Sequence, residues 1–140
     1  MTRYKNPAAT ATLIVNRKGH ILLVRRKHEP YQGMLALPGG FLNHEQESLE
    51  KTAQRELYEE TGLRIKQEDL YLLCVNSSPR RDPRGHVIDH VYIALNFGGI
   101  TRADDDAECL EWRALADMPN RLAFDHSKDI ERYKAWRKGR

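Results

Sequence analysis

Three glutamates, Glu56, Glu59 and Glu60, form the group of side chains in this sequence that is most suited to chemistry. An α-helix turns by about 100° per residue, so Glu56 and Glu60 lie about 40° apart and Glu59 lies about 60° to the other side of Glu56. Like charges at this spacing destabilise a helix, and the helix dipole disfavours anions in its C-terminal half. A divalent cation would remove the penalty, and carboxylate oxygens favour Mg²⁺ or Mn²⁺ over Zn²⁺. The alternative is a solvated acidic face on which Arg55 pairs with Glu59.

A glycine-rich turn precedes this acidic segment and favours the metal interpretation. In the run Leu37-Pro38-Gly39-Gly40-Phe41, the two glycines allow backbone conformations that are closed to other residues. A backbone carbonyl of the turn can therefore be presented to the same metal as the carboxylates.

Together these residues resemble the Nudix box, the signature of a superfamily of metal-dependent pyrophosphohydrolases. The resemblance rests on Gly40, Glu47 and the run Arg55-Glu56-Leu57-Tyr58-Glu59-Glu60-Thr61-Gly62-Leu63. Glu47 stands eight residues before Arg55, as in the family. Gly40 and Glu47 enclose six residues where the family has five, so the extra residue belongs to the loop.

The resemblance implies roles for individual residues of the box. Glu56 and Glu60 match the principal metal ligands, with Mg²⁺ as the expected ion and Mn²⁺ as a substitute. Glu59 matches the third carboxylate, which binds a further cation and in some members acts as the catalytic base. Gly40 matches the residue whose carbonyl contributes to the metal site. Arg55 and Glu47 match the pair that holds the acidic cluster together, and Gly62 closes the box.

A second source of the catalytic base is the loop before the last predicted strand, from which the family often supplies a carboxylate. Asp104, Asp105, Asp106 and Glu108 stand there, and Asp106 or Glu108 is the best candidate besides Glu59. The alternative is a polar turn whose aspartates only cap and solubilise it.

Three arginines project from the short segment 77–86, whose two prolines and one glycine restrict its shape. Guanidinium groups suit phosphate recognition, so Arg80, Arg81, Arg84 and the neighbouring His86 are candidate substrate-binding residues. The segment Ser77-Ser78-Pro79-Arg80-Arg81-Asp82-Pro83-Arg84-Gly85-His86 resembles that of small ADP-ribose pyrophosphatases and of the sensor domain in Nudix-related regulators of NAD metabolism. The alternative is a solvated basic turn. His86 and His90 would lie about 13 Å apart on a strand, too far to share a metal.

The elements that must position these groups indicate an α+β fold, in which a mixed β-sheet lies between α-helices. Alternation predicts a strand over 9–16, and the apolar run 21–24 predicts a buried strand that forms a hairpin with it. Ser48 is a predicted N-cap and Gly62 the predicted C-terminal end of the acidic helix. Further strands are predicted over 70–75, 87–95 and 109–115, and a second helix over 125–137 from an Asp or Ser cap. We expect one domain over 1–140.

Composition limits the class of protein. A net charge of +3 is too small to indicate nucleic acid or a membrane surface as a partner. Apolar runs are too short for a membrane span, and the N-terminal residues lack the apolar core of a secretory signal. The two cysteines, Cys74 and Cys109, are expected to be reduced thiols, so a cytoplasmic protein is expected.

These observations favour a Mg²⁺-dependent hydrolase of a nucleoside diphosphate linked to another group, with ADP-ribose as the preferred substrate and AMP and ribose 5-phosphate as products. The box itself is shared with hydrolases of ordinary or oxidised nucleoside triphosphates and of nucleotide sugars, which remain the alternative. A third hypothesis is an ADP-ribose sensor without activity. The related regulators carry a DNA-binding winged helix, for which the 25 or so residues after the last strand are too few. The resemblance suggests a homodimer.

Overall fold

The computed structural model describes residues 6–43, 46–101 and 109–140, which contain eight strands and two α-helices. The strands are β1 (Ala8–Ile14), β2 (Asn16–Arg17), β3 (His20–Arg25), β4 (Leu35–Ala36), β5 (Gly39–Phe41), β6 (Leu70–Asn76), β7 (Val87–Ala94) and β8 (Leu110–Ala114). The helices are α1 (Leu49–Thr61) and α2 (His126–Lys138). The α+β class expected from the sequence is confirmed, and each predicted strand and helix is present within a few residues of its expected bounds.

The strands divide between two sheets of four. One has the order β5-β1-β7-β6, in which β1 and β7 run parallel and the other neighbours are antiparallel. In the other, β3 pairs antiparallel with β2, β4 and β8. The parallel β1–β7 pair makes the first sheet mixed, as the sequence predicts.

The predicted hairpin between the first two apolar runs is wrong in its extent. β1 ends at Ile14 and belongs to the first sheet, whereas β3 belongs to the second. Only the short strand β2 pairs with β3, and the amide of Leu22 donates to the carbonyl of Val15. The chain passes from one sheet to the other at Val15, which alternation along a single strand does not reveal.

Two apolar clusters cover opposite faces of β1 because successive side chains of a strand point to opposite sides. Leu13 and Val15 pack with Ala53 and Leu57 of α1. The second cluster contains Ile14 from β1, Ile21 and Leu23 from β3, Val91 and Ile93 from β7, and Ile130 and Tyr133 from α2. The helices therefore lie on opposite sides of the strands, giving the predicted order of helix, sheet and helix.

Helix α1 begins and ends where the sequence predicts. The hydroxyl of Ser48 accepts a hydrogen bond from the amide of Lys51 at 3.1 Å, as an N-cap does. Gly62 adopts φ 86° and its N–H donates to the carbonyl of Tyr58, which is the left-handed ending that favours glycine. Ala53 and Leu57 are fully buried, whereas Glu59 is exposed.

Helix α2 occupies nearly its predicted range, but its predicted side-chain cap is wrong. Asp125 precedes the helix and makes no capping hydrogen bond. Its carboxylate instead accepts two hydrogen bonds from Arg81, at 2.9 and 2.7 Å. The hydroxyl of Ser127, inside the first turn, accepts from the amide of Leu122. The carboxylate binds the guanidinium instead of capping the helix, because a bidentate ion pair is a stronger interaction than a capping hydrogen bond.

Two further observations bear on the expectations from composition. Among the described residues no helix is long and apolar enough to cross a membrane. Cys74 and Cys109 are free thiols, both partly buried, as expected.

The close contact between β5 and β1 generates a prediction about stability. A Cβ at Gly39 would collide with the backbone oxygen of Ala11, which the sheet holds in place. We expect Gly39→Ala to lower the free energy of unfolding by about 1–3 kcal/mol, the usual cost of overpacking. Gly98→Ala, which adds the same methyl group to open space, is the control and should change it by less than about 0.5 kcal/mol. Denaturant titration of both variants checks this, and equal effects would contradict it.

Candidate active site

The acidic face of α1 lies against the glycine turn of β5. The carboxyl group of Glu56 occupies the space that a Cβ at Gly40 would fill, so the turn approaches the helix this closely only because residue 40 is glycine. A backbone hydrogen bond from Gly39 reaches the carboxylate of Glu60. The structure therefore brings together Gly40, Glu56 and Glu60, which the sequence assigns to one metal site.

Arg55 is the cation at the centre of this cluster. Its guanidinium donates two hydrogen bonds of 2.9 Å to Glu47, one of 2.8 Å to Glu56 and one of 3.3 Å to Glu59. It also donates to the carbonyl of Phe41 at 3.1 Å. The hydrogen bonds to Glu47 contribute most to raising the pKa of Arg55 above its usual range. Arg55 thus links the helix, the loop and β5, while Glu59, with 56% of its side chain exposed, stays at the edge.

Two carboxylates of this face, those of Glu56 and Glu60, are held largely away from water. Burial, followed by the charge of Glu56, raises the pKa of Glu60 to about 8. Burial also raises the pKa of Glu56, although the hydrogen bond from Arg55 opposes this shift. Two neighbouring carboxyl groups that are costly to ionise fit a cation as their natural partner, because a cation favours the charged form of both.

A cavity of about 530 Å³ opens beside the glutamates. One wall carries Glu56, Glu59 and Glu60 from α1. Another wall carries basic side chains, namely Arg25, Arg26, Lys27, Arg81 and Arg84. Phe41 and Phe124 also line it. A site lined by both acidic and basic side chains suits an anionic ligand that binds together with a divalent cation.

Arg81 is a structural member of this site in the described geometry. Only 5% of its side chain is exposed, and its guanidinium binds Asp125 at 2.7 Å and lies 3.6 Å from Asp89. Burial lowers the pKa of Arg81, but the hydrogen bonds that Arg81 donates to Asp125 and the charge of Asp89 outweigh this effect and raise it. Arg81 therefore fixes the predicted substrate loop to the start of α2, and its donors are directed at protein carboxylates.

Arg84 is placed differently. Its guanidinium donates to the buried carboxylate of Asp82 at 3.0 and 2.8 Å and lies over the rings of Phe41 and Phe124 at 4.7 and 5.2 Å. The side chain is 38% exposed and lines the cavity. Of the three arginines predicted from the loop, Arg84 has the geometry that a substrate contact requires.

The remaining predicted residues fall elsewhere. Arg80 is exposed and is not among the residues that line the cavity. His86 is hydrogen-bonded to the carbonyl of Ser77 at 2.9 Å and does not line the cavity either. The candidate bases Asp106 and Glu108, with Asp104 and Asp105, lie outside the described residues. The substrate-binding role of Arg80 and His86 and the identity of the base stay predictions.

Sequence reasoning missed Arg26, Phe124 and His126, which come from three separate segments of the chain. Phe124 has φ 55°, a left-handed conformation that is unusual for a bulky residue and often marks a functional site. The ring of His126 lies 5.5 Å from that of Phe124. The run Phe124-Asp125-His126 before a predicted helix was the available signal, but its side chains meet β-strand residues only after folding.

A buried polar cluster lies beside the cavity, and two of its members, Asp89 and His126, line it. Asp89, His126 and Asp129 have ligand atoms within 4.8 Å of one another. A metal is not the occupant we favour, because Nδ1 of His126 already accepts the amide of Leu37 at 3.1 Å and Arg81 supplies a positive charge to Asp89. This cluster is distinct from the glutamates of α1.

Within this cluster, burial favours the neutral forms of Asp129 and His126. One oxygen each of Asp89 and Asp129 is buried without a hydrogen-bond partner. Burial, together with the charge of Asp89, raises the pKa of Asp129 to about 7, although a hydrogen bond from Asn76 opposes the shift. Burial lowers the pKa of His126 to about 4, so the imidazole is neutral near neutral pH.

Three aromatic residues of types that can stack on a base, Tyr58, Tyr92 and Trp112, do not line the cavity. Tyr92 is buried in the cluster that packs against α1. Trp112 packs against the same cluster, with the guanidinium of Arg17 at 4.2 Å from its ring. Tyr58 is exposed and lies under Arg64. Tyr92 and Trp112 therefore contribute to packing.

Comparison with known proteins gives consistent results. The sequence pattern of the NUDIX domain matches residues 5–136. The chain is 46% identical over 136 residues to an ADP-ribose pyrophosphatase of Methanocaldococcus jannaschii, covering 97% of this chain and 78% of that protein. It is 39% identical to the ADPR responsive transcriptional repressor NtrR of Acinetobacter baylyi, over 76% of this chain and 43% of the repressor.

A solved structure extends the comparison to the fold. The NUDIX domain of Shewanella oneidensis NrtR, crystallised with ADP ribose, superimposes with a TM-score of 0.78 and 32% identity. The match covers 94% of this chain and 89% of that domain. The similarity therefore includes the whole arrangement of strands and helices around the cavity.

The raised pKa of Asp129 predicts a pH-dependent effect of Asp129→Asn. The folded protein holds a proton on Asp129 up to about pH 7, whereas the unfolded chain releases it near pH 4. Between these pH values the unfolded chain is ionised at Asp129 and the folded protein is not, so the free energy of unfolding of the wild type falls as the pH rises. We expect the variant to gain on the wild type by on the order of 1 kcal/mol per pH unit across this window.

Denaturant unfolding from pH 4 to 8 measures this difference. Asp117→Asn removes an exposed carboxylate and is the control, for which the difference from wild type should stay flat. A stability difference between Asp129→Asn and wild type that does not vary with pH would show that Asp129 is ionised throughout.

Proposed function

The chain belongs to the NUDIX domain family, and we infer that it is a hydrolase that cleaves the diphosphate of ADP-ribose. Water adds to one phosphorus atom, the bond to the bridging oxygen breaks, and the products are AMP and ribose 5-phosphate. The pyrophosphatase of Methanocaldococcus jannaschii, at 46% identity, supports this substrate.

The observation that carries the proposal is the placement of the box glutamates and Arg84 around one cavity. Cleavage of a diphosphate requires that its negative charge be reduced before water can approach. The acidic wall can hold cations against the diphosphate. The basic wall can bind the phosphate oxygens that the cations do not contact. Both sets of side chains are needed to bind a nucleoside diphosphate, because the glutamates bind it only through a cation and the basic side chains bind its oxygens directly.

Glu56 and Glu60 are the residues we assign to the principal Mg²⁺, with the carbonyl of Gly40 and the carboxylate of Glu59 beside them. A bound Mg²⁺ would neutralise charge on the phosphate oxygens and acidify a water. Mn²⁺ has similar ligand preferences and is the expected substitute. Binding of the ion must displace the proton that Glu60 holds below about pH 8, so we expect affinity for Mg²⁺ to rise with pH up to that value.

Arg55 and Glu47 act by positioning. The guanidinium of Arg55 donates hydrogen bonds to the carboxylates of Glu47, Glu56 and Glu59 and to the carbonyl of Phe41. It therefore fixes the position of the carboxylates relative to the glycine turn. Glu59 is the one candidate base within the described residues, and its exposure at the cavity allows it to pass a proton to solvent. Asp106 and Glu108 are the alternatives.

The residues of the basic wall bind the substrate. Arg84 offers its guanidinium edge to the cavity while Asp82 and two aromatic rings fix its plane. Arg81 keeps the loop that carries Arg84 attached to Asp125. A nucleotide substrate and free thiols favour a cytoplasmic location, and the homodimer suggested by resemblance stays a prediction.

The direct test is incubation of the protein with ADP-ribose and Mg²⁺, with AMP and ribose 5-phosphate measured by chromatography. We expect equimolar products and no activity in the presence of a chelator. Rapid hydrolysis of another nucleotide with no product from ADP-ribose would contradict the assigned substrate, while the assignment as a nucleotide hydrolase would still hold.

A panel of nucleotides separates ADP-ribose from the alternatives, namely ordinary and oxidised nucleoside triphosphates and nucleotide sugars. We expect the highest kcat/KM for ADP-ribose, since this ratio measures discrimination between substrates. ADP-ribose binding without hydrolysis of any member of the panel would favour a sensor, as in the ADPR responsive transcriptional repressor of Acinetobacter baylyi.

Glu60→Gln tests the metal assignment. The substitution keeps the size and the helical fit of the side chain but removes its charge, so we expect turnover to fall by at least about 10²-fold. Stability without metal should stay level or rise by about 0.2–0.5 kcal/mol as repulsion from Glu56 is relieved. Added Mg²⁺ should stabilise the variant less than wild type.

Glu68→Gln is the matched control, because Glu68 is exposed on the short 3₁₀ helix Gln67–Asp69, outside the cavity. It should keep wild-type turnover and the wild-type response to Mg²⁺. Full activity of Glu60→Gln at limiting Mg²⁺ would instead favour a solvated acidic face.

A further inference from the structure

The ring of Phe124 carries two guanidinium groups at the wall of the cavity. The Cζ atom of Arg26 lies 4.9 Å from the ring centroid, and that of Arg84 lies 5.2 Å from it. Tyr31 packs edge-on against the same ring, with 4.8 Å between the centroids. Phe124 is therefore a platform that holds two cations side by side.

Stacking leaves the in-plane donors of a guanidinium available, because it uses the face of the group rather than its edge. Arg26 uses Nε to bind the carbonyl of Pro30 at 2.6 Å. Arg84 uses Nε and one terminal nitrogen to bind Asp82. Within residues 6–43, 46–101 and 109–140, the structure gives no acceptor to the two terminal nitrogens of Arg26 or to the second terminal nitrogen of Arg84.

Arg26 has no direct ion-pair partner among the described residues. Asp82 is engaged by Arg84, and the described part of the chain supplies no carboxylate within ion-pair distance of Arg26. Burial lowers the pKa of Arg26 and the neighbouring charge of Arg84 lowers it further, whereas the more distant charges of Glu60, Asp82 and Glu29 oppose the shift. An anion that bridges the two guanidinium groups can accept from the donors that the protein leaves unused.

Backbone conformation adds an independent observation. Phe124 and Tyr31, which pack against each other, have φ values of 55° and 60°. Left-handed conformations cost bulky residues free energy, and folded proteins retain them where the surrounding structure requires the placement. The strained residues here are those that hold the platform under the two arginines.

We propose that Arg26 and Arg84, stacked on Phe124, form an anion subsite that binds phosphate oxygens of the substrate diphosphate. This proposal rests on the proposed function and adds to it Arg26, which neither the box nor the arginine loop contains. The subsite takes a diphosphate group, so it recognises the shared part of nucleoside diphosphate compounds rather than the base.

The test uses inorganic pyrophosphate as the probe, in the presence of a chelator, so that the basic wall is measured without metal. Calorimetric titration of Arg26→Gln should give a Kd about 10- to 100-fold above that of wild type, the usual effect of removing a charged hydrogen-bond donor. Arg26→Lys keeps the charge but loses the planar fork, so its Kd should lie between the two.

Arg64→Gln is the matched control. Arg64 also stacks on an aromatic ring, that of Tyr58 at 4.5 Å, but does not line the cavity. Its Kd for pyrophosphate should equal that of wild type. Thermal unfolding of each variant shows whether the fold is retained, and Arg26→Lys keeps the test informative if Arg26→Gln unfolds.

Hydrolysis of ADP-ribose by the same proteins separates this proposal from the proposed function. Binding of pyrophosphate that depends on Arg26 supports the subsite even if wild type does not cleave ADP-ribose, in which case only the assigned substrate fails. Undetectable binding of pyrophosphate by wild type, or a Kd of Arg26→Gln within twofold of wild type, overturns the subsite. Active cleavage of ADP-ribose by wild type would then leave the proposed function standing.

Discussion

The organisation of the site depends on the ion pairs of Arg55. Three glutamates on one face of α1 repel one another, and the hydrophobic packing of Ala53 and Leu57 beside that face fixes their position. Arg55 contacts Glu47, Glu56 and Glu59 at once, which reduces the repulsion and ties the helix to the loop before it. Its hydrogen bond to the carbonyl of Phe41 also ties the acidic face to β5.

A second guanidinium performs the corresponding task on the other side of the cavity. Arg81 binds Asp125 and lies beside Asp89, so it joins the arginine loop, β7 and the start of α2. The two arginines are both anchored in protein carboxylates, as the sequence predicts for Arg55 but not for Arg81, which it offers as a substrate ligand. The cavity between them is shaped by structural ion pairs, and the groups left to contact a ligand are those at its surface.

The distribution of protons follows from this arrangement. Burial raises the pKa of Glu60 to about 8 and of Asp129 to about 7, and it lowers the pKa of His126 to about 4. In each case burial favours the neutral form. The difference lies in access, because Glu60 lines the cavity, where a cation can replace its proton, whereas Asp129 is fully buried in the protein.

Local sequence was sufficient for the elements and for the acidic face. The spacing of Glu56, Glu59 and Glu60 depends only on helical geometry, and the ends of α1 at Ser48 and Gly62 depend only on local capping. These predictions hold because the interactions that determine them join residues a few positions apart. The resemblance to the Nudix box rests on the same short stretch.

Tertiary structure decided which residues share the cavity. The division of the strands into two sheets separates β1 from β3, and the pairing of Arg81 with Asp125 spans 44 positions. Arg26, Arg84 and Phe124 come from three segments that no local pattern connects. Periodicity and capping describe one segment at a time, so they determine the helix that carries the glutamates. Which cations face those glutamates depends on long-range packing.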